Sequence, residues 1–252
     1  MTLRRGCEGE ESSMQLWRFL TPNALGFTLK NAAHALIDKI TGAPPRVTLA
    51  AEYVARHARA GDPESLLRTL DRFALEERWL MSVGPEKGPL VSELAERLPN
   101  EVRVLELGAY CGYSSILIAH TLGQGATVVS IEVDAAAVAS ARRNVAMAGL
   151  SRRVSFLHGP SSELIPGLDG QFDLVFLDHW KDLYKKDLQL IEEHRLLKPG
   201  GIVVADNVGA IFNPDEYLEY VRGCGRYQSE HRLATIEYTS VPDAVEISVY
   251  RP

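Results

Sequence analysis

The chain has 252 residues, of which 46% are hydrophobic and 24% are charged, a balance typical of a globular domain. Its formal net charge of -6 argues against a nucleic-acid-binding protein, because no basic stripe is present to neutralise phosphates. The three cysteines, Cys7, Cys111 and Cys224, are odd in number and lack the spacing of metal ligands. We therefore expect one α/β domain in a reduced, cytoplasmic setting.

Residues 1–45 are expected to form a helical arm in front of a main domain at 46–252. Residues 14–41 contain apolar clusters, but none approaches the roughly 20 apolar residues that a membrane span needs. No small-residue cleavage site typical of a signal peptide follows them. A Gly-Ala-Pro-Pro stretch at 42–45 then separates arm and domain. We expect the arm to pack on the domain or, in a homo-oligomer, on another copy of the chain; contact with a membrane surface is the weaker alternative.

The main domain begins with helices. Asp62, Pro63 and Glu64 are typical of an N-cap, a first-turn proline and an acid that complements the helix dipole, and they predict a helix to about Glu77. A further helix is predicted over roughly 86–98. Five short apolar runs follow, separated by helix-like segments, at 102–107, 127–133, 154–159, 173–178 and 201–206.

Such apolar strands alternating with helices predict a parallel sheet that is covered on both faces. Two strand-like runs at 226–240 and 244–252 have no helix between them and predict an antiparallel hairpin at the sheet edge. The predicted fold class is therefore α/β: a doubly wound, Rossmann-like sheet with an antiparallel C-terminal hairpin and extra N-terminal helices. Sheets of this kind bind ligands at the carboxyl ends of their strands.

A glycine-containing loop follows the first predicted strand. Gly108 and Gly112 allow close approach to a ligand, and Glu132, at the end of the next strand, can accept hydrogen bonds from ribose hydroxyls. The dinucleotide spacing G-x-G-x-x-G is absent. Glu106 precedes the loop, where it would repel a pyrophosphate but attract an amino-acid ammonium. These features favour S-adenosylmethionine over NAD; the alternative is a tight strand–helix turn without a ligand.

Hard oxygen ligands follow the fourth and fifth predicted strands. Asp178 ends one strand and the pair Asp206–Asn207 ends the other, so neighbouring parallel strands bring two carboxylates and an amide together. Mg²⁺ prefers about six oxygens and keeps positions for water and substrate. The alternative for any one of these residues is a helix cap or a turn. The set of three at adjacent strand ends predicts a magnesium site rather than a zinc site.

Lys181 lies three residues after Asp178. Beside a dication and partly desolvated, a lysine amine can accept a proton from a substrate hydroxyl. The alternative is a surface salt bridge with Asp182. Trp79 and Trp180 could supply flat walls for an aromatic ring, although a tryptophan is more often a core residue.

Together these segments resemble the catechol O-methyltransferase family. The matching stretches cover roughly residues 50–250: GDPES (61–65), WLMSVGPEKG (79–88), LELGAYCGYS (105–114), FLDHWKDLY (176–184), ADNV (205–208), YVRG (220–223) and IEY (236–238). The resemblance implies methyl transfer from S-adenosylmethionine to one hydroxyl of a small catechol whose two oxygens chelate Mg²⁺. Two other functions stay open: methylation of another phenolic vicinal diol, and a catalytically silent cofactor-binding scaffold.

The resemblance also implies residue roles. The cofactor residues would be Met81, Val83, Glu106, Gly108, Tyr110, Ser114, Glu132, Val133, Ser161, Ser162, Asp178, His179 and Trp180. The metal ligands would be Asp178, Asp206 and Asn207, with Lys181 as general base and Glu237 as acceptor from the hydroxyl that is not methylated. The substrate would contact Trp79, Asp178, Lys181, Asn207, Ile211 and Glu237.

The chain departs from the family at three places. Ile211 stands where mammalian relatives carry a proline wall, which leaves the ring orientation and the meta or para preference open. Val133 replaces a methionine beside the ribose-binding acid. Residues 1–45 do not resemble the N-terminal anchor of membrane-bound relatives, which favours a soluble, bacterial-type member.

Overall fold

A computed structural model describes residues 34, 36, 38–212 and 214–252. Most of the predicted arm, and with it the predicted contact between copies of the chain, lies outside the described residues. Residues 38–41 are helical, and Asp38 forms ion pairs with Arg46 and Arg78 at 3.6 and 3.1 Å. Within the described part of the chain, none of the helices combines the length and apolar character that a bilayer crossing requires.

The sheet has seven strands in the order β3-β2-β1-β4-β5-β7-β6. Strands β1 to β5 are parallel, and their bounds are Val102–Leu107, Ala126–Glu132, Val154–His158, Phe172–Leu177 and Leu197–Ala205. The five predicted strands are thus confirmed. The fourth ends one residue earlier than predicted, and the fifth begins four residues earlier. Asp178 and Asp206 therefore lie just beyond the hydrogen-bonded ladder, where their side chains can turn toward a ligand.

The C-terminal hairpin is also confirmed. Strands β6, Tyr227–Thr235, and β7, Pro242–Tyr250, pair antiparallel, and β7 pairs antiparallel with β5. The turn between them, residues 236–241, carries Glu237. Because Ala205 of β5 faces Glu246 of β7, this turn rises beside the residues that follow β5.

Helices cover both faces of the sheet, as the apolar strands predict. They are α1 Arg46–His57, α2 Pro63–Glu76, α3 Gly84–Ala95, α4 Tyr113–Thr121, α5 Ala135–Met147, α6 Ser161–Leu164, α7 Tyr184–Glu193 and α8 Asp215–Gly223. The side chain of Asp62 accepts a hydrogen bond from the Ser65 amide at 2.8 Å, which confirms the predicted N-cap of α2. Helix α3 begins two residues earlier and ends three residues earlier than the predicted 86–98.

The strand order places the functional loops side by side. Leu107 pairs with Ile131 of β2 on one side and with Leu177 of β4 on the other, and Leu177 pairs with Ala205 of β5. The chain runs from β1 to β2 and β3 on one side of β1 and then crosses to β4 and β5 on the other side, so the switch point of this sheet lies between β1 and β4. The loop after β1 consequently lies between Glu132 and Asp178.

Candidate active site at the carboxyl ends of the strands

The loop after β1 is held by Glu132. The carboxylate of Glu132 accepts the backbone amides of Ala109 at 3.1 Å and Tyr110 at 2.9 Å, and that of Asp134 at 2.9 Å. Tyr110 has φ of 46, a left-handed conformation that a non-glycine residue adopts only when its surroundings stabilise it. Glu132 thus fixes the shape of the predicted cofactor loop and, being half-buried at its edge, keeps part of its carboxylate accessible.

Glu106 is a fully buried carboxyl beneath the same loop. The hydroxyls of Ser115 and Ser130 donate to its Oε2, and burial raises its pKa above the ordinary value. Its Oε1 finds no hydrogen-bond partner among the described residues. A buried acid with one oxygen left over suits a cationic donor such as an ammonium. Neither serine was singled out from the sequence. Ser115 lies on α4 and Ser130 on β2, so their contacts with Glu106 of β1 depend on how these elements pack.

Two predicted adenine-side residues meet at Asp187 of α7. The hydroxyl of Ser161 and the Nε2 of His179 both contact Asp187 Oδ2, the latter at 2.8 Å. Burial lowers the pKa of His179 below the ordinary value, although the Asp187 carboxylate opposes this shift. The sequence did not single out Asp187; its spacing from the buried Leu188 and Ile191 does place it on the inward side of α7.

Gly108 brings the cofactor loop against the loop after β4. A β-carbon on Gly108, which has φ of +98, would lie 2.7 Å from the carbonyl oxygen of Asp178 and 2.9 Å from the amide nitrogen of His179. Real β-carbons do not approach backbone atoms so closely. The glycine therefore allows the two loops to form one site.

The predicted metal residues lie together. Asp178 and Asp206 are close enough for each charge to affect the other, and burial raises the pKa of Asp178 although Lys181 opposes it. Asp206 and Asn207 are each 1% exposed, and Asn207 has φ of 53. Asp206 Oδ2 is a buried oxygen without a hydrogen-bond partner among the described residues. Crowded, desolvated acids with an unused oxygen suit a divalent cation.

Lys181 faces this group of acids. Its side chain is 13% exposed, and its Nζ lies 3.3 Å from Asp178 Oδ1. The alternative predicted from the sequence was a surface salt bridge with Asp182; the ion pair described here is with Asp178. The same Nζ lies 5.6 Å from the centre of the Phe212 ring. Lys181 thus stands between the acids and an apolar surface.

That apolar surface includes two predicted residues, Trp79 and Ile211, and one residue that was not predicted, Phe212. Trp79, Ile211 and Phe212 pack against the buried side chains of Ile236 and Val241. The indole nitrogen of Trp79 donates to the backbone oxygen of Glu237 at 3.0 Å, which fixes the wall beside that acid. Phe212 was not predicted, because the sequence offered no signal for it other than its position next to Ile211.

Glu237 lies under this wall and is 2% exposed. Burial raises its pKa above the ordinary value, with Lys87 acting in the opposite direction. Lys87 also contacts Asp206 and Asp243, and neither Lys87 nor Asp243 was singled out from the sequence. A signal for Lys87 was present: it precedes the buried Val91 and Leu94 by four and seven residues, which is the spacing of the inner face of a helix.

The remaining predicted residues differ in their exposure. Val83 is buried, Met81, Tyr110 and Ser162 are half-buried, and Ser114 is buried. Val133 and Trp180 are exposed, at 53% and 63%. The structure therefore brings the acids, Lys181, Trp79 and Ile211 into one region and leaves Trp180 as a surface side chain at its edge.

Comparisons with known proteins identify the family. Residues 57–222 match the model of the O-methyltransferase family. The chain is 42% identical to catechol O-methyltransferase of Bos taurus over 79% of this chain and 75% of the relative, and 41% identical to catechol O-methyltransferase B of Danio rerio over 78% and 76%.

A solved structure supports the fold. The O-methyltransferase of Bacillus cereus in complex with SAH superposes with a TM-score of 0.63 at 21% identity, over 75% of this chain and 90% of that chain. The class I O-methyltransferase fold is thus confirmed. The chain belongs to the O-methyltransferase family and, within it, to the catechol O-methyltransferases.

Proposed function

We propose that the protein transfers the methyl group of S-adenosylmethionine to one hydroxyl of a catechol, with Mg²⁺ held by Asp178, Asp206 and Asn207. Membership of the catechol O-methyltransferases supports this reaction. The single observation that carries it is the convergence of Asp178, Lys181, Asp206, Asn207 and Glu237 beside one apolar wall, in contact with the loop after β1.

The donor set suits magnesium. Two carboxylates and an amide are hard oxygen ligands, and the unused buried Oδ2 of Asp206 is the kind of atom that a cation would satisfy. When bound, the ion would act as a Lewis acid toward the catechol oxygens and would favour the ionised form of the hydroxyl.

Lys181 is the proposed general base. Its amine is largely shielded from solvent and lies at the proposed metal residues, where in its neutral form it would take the proton from the hydroxyl that becomes methylated. Glu237, with its Oε2 buried and unpartnered among the residues described, accepts from the second hydroxyl. Trp79, Ile211 and Phe212 offer flat apolar contacts to the ring.

The opposite side of the site is proposed to hold the cofactor. Glu132 accepts from the ribose hydroxyls, Glu106 faces the amino-acid ammonium, and Ser161 and His179 face the adenine. The solved relative in complex with SAH supports this side of the assignment. The cofactor supplies a methyl group on a positively charged sulfur. The residues of the chain contribute by aligning the ionised oxygen with that methyl group and by excluding water.

A product analysis tests the proposal. The protein is incubated with S-adenosylmethionine and Mg²⁺ and with a catechol, its mono-O-methyl ether or another phenolic vicinal diol, and products are identified by mass spectrometry. We expect one methyl group on the catechol, none on the ether, and none after EDTA treatment. Cofactor binding without methylation of any diol would indicate the silent scaffold, and preference for a different diol would replace the catechol as substrate.

A further inference from the structure

Three carboxylates of the site share one buried lysine. The Nζ of Lys87 lies 2.6 Å from Asp206 Oδ1, 2.5 Å from Glu237 Oε1 and 3.1 Å from Asp243 Oδ2. The lysine side chain is 3% exposed and none of the three acids exceeds 2%. An ammonium removed from water in this way is stable only because the acids compensate its charge, and the acids equally depend on it.

The lysine uses only one oxygen of each functional acid. Asp206 Oδ1 accepts from Lys87 and, at 2.7 Å, from the amide of Asn207, while Asp206 Oδ2 is buried and unpartnered within the described ranges. Glu237 repeats this division, with Oε1 on the lysine and Oε2 buried without a partner. In both acids, one oxygen is thus fixed by the lysine and the other is left for a ligand.

Asp243 is the third acid that contacts Lys87, and it also contacts Asn207. Its Oδ2 accepts from the amide nitrogen of Asn207 at 2.8 Å, and its Oδ1 accepts from the backbone of Gly209 at 3.1 Å. Because the nitrogen of the Asn207 amide is bound to Asp243, its oxygen lies on the other branch of the amide and can serve as a ligand. Lys87 and Asp243 therefore orient Asp206, Glu237 and Asn207 from one side.

The charge count suits a divalent ion. When ionised, Asp178, Asp206, Glu237 and Asp243 carry four negative charges, and the ammonium group of Lys87 carries one positive charge. Three negative charges remain when Lys181 is the neutral amine that a general base requires, and a divalent ion compensates two of them. Without Lys87 the same acids would carry an additional uncompensated charge.

We propose that Lys87 is a permanent counter-ion of the metal site: it stays bound to Asp206 and Glu237 when the divalent ion binds, and it presents their second oxygens to the ion and to the substrate. This rests on the metal site of the proposed function. The competing arrangement is that Lys87 only fills the place of the ion, which would displace it and bind among Asp206, Glu237 and Asp243 themselves.

Amine labelling of the native protein distinguishes the two arrangements. The full chain is treated briefly with acetic anhydride, with and without saturating Mg²⁺, and acetylation is read by peptide mass spectrometry. The exposed Lys186 reports that labelling took place, and a urea-unfolded sample reports full labelling of Lys87. We expect Lys87 to be protected equally in both states. Labelling of Lys87 that appears with Mg²⁺ would overturn the proposal, because a displaced ammonium must move to solvent.

A variant measures the coupling between lysine and metal. In Lys87→Met we expect the melting temperature without metal to fall by about 10 °C, because buried charges lose their partner in a domain of this size. Saturating Mg²⁺ should raise the melting temperature of Lys87→Met by at least twice as much as that of the wild type, because the ion then compensates the charge that the lysine no longer does.

Val91→Ala is the matched control, since Val91 is buried one turn later on the same face of α3 and carries no charge. It should lower the melting temperature and leave the Mg²⁺-induced shift at the wild-type value. An equal Mg²⁺ shift in the wild type and both variants would overturn the role of Lys87 alone. A wild type without any Mg²⁺ shift, and without Mg²⁺ binding in calorimetry, would overturn the metal site together with it. If Lys87→Met fails to fold, the labelling experiment on the wild-type protein decides between the two arrangements of Lys87.

Discussion

Gly108 lies directly against the backbone of Asp178, so closely that a β-carbon on the glycine would stand 2.7 Å from the aspartate carbonyl oxygen. One residue follows β1 and the other follows β4, and the two strands are neighbours in the sheet. The contact joins the half of the site that is proposed to hold the cofactor to the half that is proposed to hold the metal. Any shift of one loop is therefore transmitted to the other.

The first prediction concerns this contact. Gly108→Ala should destabilise the protein by about 2–4 kcal/mol, because the new β-carbon meets backbone atoms and the residue keeps a positive φ. Activity should fall as well, since Asp178 must move. Gly88→Ala is the control: no atom lies within 4 Å of its β-carbon position, and a helical alanine should add about 0.5–1 kcal/mol. Urea unfolding of both variants measures the difference, and equal stabilities would contradict the contact.

The second prediction concerns the proton acceptor. Lys181→Ala should lower kcat by about 10²- to 10⁴-fold, the usual contribution of a general base. The affinity for S-adenosylhomocysteine in isothermal titration should stay within about twofold, because the amine faces the acids and Phe212 rather than the loop after β1. Lys185→Ala, an exposed lysine on the following helix, should leave both quantities unchanged. An unchanged kcat in Lys181→Ala would remove this residue from the reaction.

The third prediction concerns Glu132. Glu132→Gln should weaken S-adenosylhomocysteine binding by about 10- to 100-fold, since a charged acceptor both holds the loop amides and is proposed to receive the ribose hydroxyls. Titration calorimetry measures the loss. Glu163→Gln, an exposed acid on the short helix α6, should bind as the wild type does. If Glu132→Gln binds normally, the ribose must lie elsewhere.

The fourth prediction concerns stability and pH away from the site. Burial raises the pKa of Glu246, but hydrogen bonds from Arg222 at 2.7 and 2.6 Å and the contact with His231 at 2.8 Å outweigh it, so the pKa lies below the ordinary value. A lowered carboxyl pKa stabilises the fold above the unfolded-state value of ~4.3 and loses that stabilisation as the pH falls through the folded-state value.

Arg222→Leu should therefore cost about 1.5–3 kcal/mol at pH 7, and the difference from the wild type should shrink as the pH is lowered below ~4. Urea unfolding at pH 7, 5, 4 and 3 follows it. Arg68→Leu removes an exposed pair with Glu64 and should change stability by no more than about 0.5 kcal/mol at each pH. A constant difference for Arg222→Leu down to pH 3 would show that its effect is packing rather than charge.

The sheet and the acids at its strand ends could be predicted because both depend on local patterns. Apolar runs of six or so residues bounded by turns define parallel strands, and a polar residue at the end of such a run has a known place in the fold. Asp178, Asp206 and Glu132 were found in this way. Each of them could be recognised from the end of its own strand, so no long-range information was needed to find it.

Lys87 and Asp243 were not found, because their importance comes from partners far away in the chain. Asp187 was not found either, because its contacts with Ser161 and His179 depend on how α6, the loop after β4 and α7 pack together. Lys87 contacts residues 119 to 156 positions later, and Asp243 contacts Asn207 across the sheet. Helical spacing alone could place Lys87 on an inner face but could not show that three acids face it. Trp180, for which the sequence suggested a binding wall, is 63% exposed, and its role stays a prediction.

The hairpin turn at residues 236–241 belongs to the part of the site that is proposed to bind the substrate, and not to the part that is proposed to bind the cofactor. It supplies Glu237 and the two buried residues, Ile236 and Val241, against which the wall packs, and among the described strands its hairpin is joined to the rest of the sheet by the pairing of β7 with β5. The loops on the far side of β1 contribute nothing to that wall within the described ranges. Insertions or exchanges in this one terminal turn would therefore change the surface proposed to recognise the substrate and leave the half proposed to hold the cofactor intact.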